Sequence, residues 1–119
     1  MDIENKIKPQ INQNDQEAIQ KLYSSTKKDF NITKMMLFGS RARGEADDEY
    51  SDIDLIMLTN RECTPKDNYN LLGVAADISI EYGIILSCLY FSEQYWQSDN
   101  INPLLKSNIE KEGIEIVLH

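Results

Sequence analysis

The stretch Leu37–Leu58, LFGSRARGEADDEYSDIDLIML, decides how the rest of the chain is read. It opens on an apolar run that Gly39 stops, crosses a loop of basic and then acidic residues, and closes on a second apolar run introduced by Asp52-Ile53-Asp54. Gly39 allows a sharp turn and a close approach to an anion, because no side chain stands in the way. Ser40 adds a hydroxyl and an amide, and a short helix starting near it would aim its first amides and the positive end of its dipole at bound phosphates. Arg41 and Arg43 add positive charge nearby. Asp52 and Asp54, at i and i+2 of a strand, project from one face while Ile53 points to the other. Two adjacent carboxylates repel each other. A divalent cation relieves that repulsion, and hard carboxylate oxygens suit Mg²⁺, which keeps waters and binds through one or two acids plus substrate phosphates. Either half alone is ordinary, since Gly-Ser after a strand is common turn chemistry and Asp-x-Asp can belong to a solvated acidic loop. Together, with eleven residues between Ser40 and Asp52, they form a specific arrangement.

The segments around this core supply a fold. From Asp15 to Phe30 the apolar residues Ala18, Ile19, Leu22, Tyr23 and Phe30 recur at helical spacing, with Asn14 as the expected cap. Lys34–Phe38 and Ile53–Leu58 are short apolar runs that read as buried strands. Tyr69–Tyr82 places Leu71, Leu72, Ala75, Ile78 and Tyr82 on one helical face, and Gly83 ends it as a C-terminal cap glycine does. Ile84–Phe91 reads as a third strand, Ser92 as the cap of a short helix holding Tyr95 and Trp96, and Asn102-Pro103 as a helix start. Gly113 stops that helix before a final strand over Ile114–Leu118. This order predicts an α/β (α+β) fold, a mixed β-sheet flanked by helices, as a single domain over residues 1–119 whose first twelve residues fray.

Composition narrows the function. Of 119 residues, 41% are hydrophobic and 27% charged, as in ordinary globular proteins. The longest apolar runs fall far short of the ~20 residues a membrane-spanning helix needs. The N-terminus mixes acids and bases without the apolar stretch of a secretory signal, so a cytoplasmic location is expected. Cys63 and Cys88 have no metal-site spacing, and Cys88 reads as a small core residue. A net charge of −8 disfavours general nucleic-acid binding, which needs clustered cations to neutralise phosphates. A small nucleotide differs, because a local basic pocket and a bound cation outweigh the global field at short range. An acidic surface also suits a basic protein partner.

Gly39-Ser40 and Asp52-Ile53-Asp54, with Arg43-Gly44 and Ser51 between them, resemble the nucleotidyltransferase superfamily typified by DNA polymerase beta, kanamycin nucleotidyltransferase and the minimal nucleotidyltransferases. The resemblance is tight over about residues 30 to 60. It implies that Gly39 and Ser40, with Arg43, hold nucleotide phosphates, that Asp52 and Asp54 are catalytic metal ligands for Mg²⁺, and that a nucleoside triphosphate such as ATP is the substrate. It further implies transfer of a nucleoside monophosphate to a hydroxyl acceptor presented by another chain, either a HEPN-type helical toxin whose tyrosine receives AMP or a second copy in a homodimer. Active members also carry a third acid on a later strand as general base. The corresponding run here, IILSCLYF, has none; Ser87 is the expected equivalent position, and Glu81 and Glu93 read as surface acids. The alternative is therefore a catalytically degenerate module that binds a nucleotide or a partner. Tyr95 and Trp96 read as core or partner-facing aromatics, Lys27 and Lys28 as charges complementing the first helix dipole, and His119 as a disordered terminus.

Overall fold

The computed structural model describes residues 10–45 and 52–117. Nine elements follow one another: α1 (Gln13–Thr26), β1 (Ile32–Phe38), α2 (Gly39–Arg43), β2 (Ile53–Thr59), α3 (Pro65–Tyr82), β3 (Leu86–Ser92), α4 (Glu93–Gln97), α5 (Pro103–Glu112) and β4 (Ile114–Glu115). The strands form one sheet in the order β3-β2-β1-β4. β1 runs antiparallel to both β2 and β4, and β2 runs parallel to β3, so the sheet is mixed.

Side-chain alternation sends the two faces of this sheet into separate cores. Met35, Leu37, Ile53, Leu55, Met57, Leu86, Cys88 and Tyr90 face α1 and α3, where Ala18, Leu22, Leu71, Ala75 and Ile78 meet them. Met36, Ile56 and Leu58 face the opposite way and pack on Trp96, Ile101 and Ile109 of the α4–α5 segment. Because both faces are covered, β2 is apolar on both sides, which is why Ile53–Leu58 reads as a continuous hydrophobic run. Trp96 stacks with Phe91 inside the second core, so the aromatic pair of α4 is structural at Trp96, while Tyr95 stays partly exposed.

Local chemistry explains the element boundaries. Asn12, and not Asn14, caps α1: its side chain accepts from the Asp15 amide at 2.8 Å, while Asp15 accepts from the Asn12 amide at 3.0 Å. This reciprocal pair satisfies two otherwise orphaned donors. Asn14 sits in the first turn and donates to the Tyr82 carbonyl, tying α1 to the end of α3. α1 also stops at Thr26, and Phe30 lies beyond it as a buried residue of the following turn. α3 begins four residues before the expected Tyr69, because Thr64 and Asp67 form a second capping box around Pro65. Leu72 is 43% exposed and so leaves the buried face assigned to it. Gly83, at φ +65, closes α3 as expected. β4 pairs over only two residues; Leu118 and His119 lie outside the described residues, as do residues 1–9 of the expected frayed end and Ser51. Among the described residues, no helix is long and apolar enough to cross a membrane.

Candidate active site

β1 delivers the chain to the site. Phe38 is its last residue and the N-cap of α2, and the helix begins on Gly39 itself, one residue earlier than expected, at φ +77. Left-handed backbone favours glycine, since a Cβ there crowds the following carbonyl. A second constraint acts at the same place. Phe38 and Asp54 are register partners across the β1–β2 ladder, and a Cβ added to Gly39 would land on the Asp54 carboxylate. The two halves of the sequence motif therefore touch: Asp54 rests against the bare backbone that starts α2. Ser40 follows in the first turn, half-buried beside it.

Asp54 is partly buried and sits on the sheet face that also carries Phe38 and Ile56. Burial pushes its carboxyl above the ordinary aspartate range, the charge of Asp52 pushes in the same direction, and Arg43 opposes both. Asp52 is exposed and precedes β2 by one residue, so it stands just outside the strand and not within it. A half-desolvated carboxylate with a like-charged neighbour is the state that a hard divalent cation stabilises. The carboxylate oxygens of Asp52 and Asp54 are donors whose chemistry fits a hard divalent cation such as Mg²⁺.

The two arginines diverge. Arg41 does not add charge to the site: it is 4% exposed and points into α1, where Nη1 donates to the Gln10 carbonyl at 2.9 Å and reaches Asp15 at 3.4 Å. Asp15 is 2% exposed, so this is a buried pair joining α2 to the capping box of α1. Asp15 and a backbone carbonyl meet the guanidinium there and offset part of the cost of burying its charge. Arg43 remains at the surface near Asp54 and is paired with Glu45 and with Glu112 of α5, each at 3.0 Å. Nothing local in the sequence distinguishes the two arginines, because the partner of the buried one lies 26 residues away.

Ser87 faces the site from β3, as register partner of Asp54, and is exposed. The strand position expected to hold a third acid is therefore beside the aspartates and is occupied by a hydroxyl. Neither alternative carboxylate serves. Glu81 is bound to Lys21 at 2.7 Å on the α1–α3 side of the sheet. Glu93 accepts from the Thr33 hydroxyl at 3.1 Å, at the opposite end of β1 from Phe38. Among the described residues, no group of three potential metal-ligating side chains occurs. Cys88 lies next to Ser87 on the other face, buried, with its thiol pushed up to about 12 mainly by burial.

A mixed sheet whose first strand turns through a left-handed glycine into a helix, with paired aspartates opening the neighbouring strand, defines a nucleotidyl-transfer type of fold. The chain belongs to the family described as polymerase beta, nucleotidyltransferase, whose pattern it matches over residues 20–118. It is 29% identical over 85 residues to a Methanocaldococcus jannaschii protein named "Putative protein adenylyltransferase", covering 71% of this chain and 79% of that one. Among solved structures, it resembles a toxin-antitoxin with AMP-PNP at TM-score 0.62 and 16% identity, over 87% of this chain and 73% of that chain. It also resembles a chain of the complex between a tri-AMPylated Shewanella oneidensis HEPN toxin and its MNT antitoxin, at TM-score 0.54 and 15% identity, over 89% of this chain and 71% of that chain.

Proposed function

We propose that this chain transfers a nucleoside monophosphate, with ATP as donor, to a hydroxyl on a partner protein. The observation that supports the reading is the contact of the Asp54 carboxylate with the Gly39 backbone, which would bring a cation held by the aspartates beside phosphates bound at the start of α2. Gly39 and Ser40 would bind the triphosphate at the start of α2, and Arg43, freed from its exposed ion pairs, would neutralise phosphate oxygens. Asp52 and Asp54 would hold Mg²⁺, which when bound supplies charge neutralisation on the phosphates as pyrophosphate leaves. The relative named as a protein adenylyltransferase and the similar fold found with an AMPylated HEPN toxin support a protein acceptor. The net charge of −8 suits a basic protein partner and disfavours general nucleic-acid binding.

One observation favours a second reading. Ser87 stands where a general base would be needed, so the site would bind nucleotide without turnover unless the acceptor hydroxyl loses its proton to another group. The test is incubation with ATP labelled on the α-phosphate, Mg²⁺ and the protein encoded by the neighbouring reading frame. Label on that protein, lost with Asp52→Asn or Asp54→Asn, supports transfer. Tight Mg²⁺-dependent ATP binding with no label on any acceptor supports the binding module, and label that survives both substitutions overturns the mechanism.

A further inference from the structure

β3 is an outer strand of the sheet, and among the described residues no strand pairs with its far edge. In its parallel ladder with β2, alternate residues point their backbone groups inward, as the bond from the Ile53 amide to the Ile85 carbonyl shows. Leu86, Cys88 and Tyr90 consequently point theirs outward. Ser79 of α3 accepts from the Leu86 amide at 3.0 Å, and among the described residues the amides of Cys88 and Tyr90 and three carbonyls remain along the outer edge. Natural edge strands are usually guarded by charge, proline or a bulge. This one has none of these guards: Gly83–Ser92 contains no charged residue and no proline, and its pairing with β2 is continuous.

The neighbouring surface is apolar as well. Tyr69, Leu72 and Ile80 of α3 are 79%, 43% and 81% exposed, Ile85 is 52% exposed, and Leu89 at the middle of β3 is 36% exposed. On α3, Leu72 and Ala76 lie on the same flank as Ser79, toward the β3 edge, and a Cβ at Gly73 would meet nothing within 4 Å. Of these exposed side chains, Leu72, Ile85 and Leu89 border the edge, whereas the helical period puts Tyr69 and Ile80 on the side of α3 away from the sheet, so pairing of the backbone edge carries most of the contact.

We propose that the occupant of this face is a second copy of the chain, joined by antiparallel β3–β3 pairing into one continuous eight-stranded sheet, twice the four strands of each copy. A two-fold axis through Leu89 sets Cys88 opposite Tyr90 of the second copy and Tyr90 opposite its Cys88, so that the four outward amides and their matching carbonyls all pair. Leu89 then meets itself in the close, non-hydrogen-bonded position. Charge selects this occupant over a basic partner, which would look for carboxylates. The charge-free strand is where two chains of net charge −8 can approach with least repulsion. The assembly is independent of what the aspartate site does.

Sedimentation equilibrium of the full chain tests this. The expected mass is that of two chains at concentrations of about 100 μM, and Leu89→Glu, which sets like charges face to face on the axis, should weaken self-association by at least about tenfold. Leu104→Glu, equally conservative in fold terms on the 69% exposed site of α5, should leave the dimer intact. Amide exchange keeps the proposal testable should Leu89→Glu fail to fold: protection of the Cys88 and Tyr90 amides should rise with protein concentration in the unmodified chain. A single-chain mass at that concentration, a dimer that persists in folded Leu89→Glu, equal dissociation by both substitutions, or concentration-independent exchange at Cys88 and Tyr90 would each overturn the proposal.

Discussion

Replacing Gly39 by alanine should separate the two constraints that meet at that residue. The first is conformational: at φ +77 an alanine costs about 1–2 kcal/mol relative to glycine. The second is steric, because the new methyl would overlap Asp54 Oδ2, with the carboxyl carbon 3.1 Å and Cβ 3.3 Å away. Asp54 is short and partly exposed, so its carboxylate can swing aside at the low end of overpacking costs, about 1 kcal/mol. Gly39→Ala should therefore lower unfolding free energy by about 2–3 kcal/mol. In an Asp54→Ala background only the conformational part remains, about 1–2 kcal/mol. Urea titration followed by Trp96 emission is a suitable assay, since Trp96 is the only tryptophan and is buried in the second core. The coupling energy of the double-mutant cycle should be about 1 kcal/mol, above the ~0.5 kcal/mol within which independent sites add. Strict additivity would refute the contact between the two halves of the motif.

Other consequences can be measured with the same protein. Because the folded-state carboxyl of Asp54 titrates above its unfolded value, the native state binds the extra proton between the two, and stability falls as pH rises through that window. Asp54→Asn should thus be stabilising at neutral pH and near-neutral in effect below the ordinary aspartate range, as read from urea midpoints at each pH; a loss of stability at neutral pH would contradict the electrostatic reading. Arg41→Met should cost about 3–5 kcal/mol by stranding the buried Asp15 charge, and adding Asp15→Leu should restore most of it. Equal destabilisation by the single and double changes would refute a paired charge there. Arg43→Ala, which breaks only exposed ion pairs, should change stability by less than about 1 kcal/mol while weakening nucleotide binding in calorimetry. Unchanged affinity would remove Arg43 from the site.

The parts of this structure that sequence could show are those governed by neighbours in the chain. Gly83, Asn102-Pro103 and Ser92 act through backbone geometry or a side chain reaching its own helix end, and each does what its residue type predicts. The Gly39-Ser40 turn and the aspartate strand were legible for the same reason. The start of α3 was available in Thr64-Pro65 and Asp67, but the exposed Tyr69, Leu72 and Ile80 blur the helical period that would have located its buried face. The opposite fates of Arg41 and Arg43 depend on Asp15 and Glu112, both remote in sequence, so no local pattern could separate them. Likewise, Ser87 was identifiable as a candidate position, whereas the exclusion of Glu81 and Glu93 rests on ion pairing and on which end of the sheet each occupies.

The most direct test of the central claim is isothermal calorimetry of ATP binding to the unmodified chain and to the Asp52→Asn/Asp54→Asn double variant, each with and without Mg²⁺. The account predicts Mg²⁺-dependent binding to the unmodified chain, lost in the double variant while its folding transition persists. Binding of equal strength in the double variant, or no Mg²⁺-dependent binding to the unmodified chain, would contradict it.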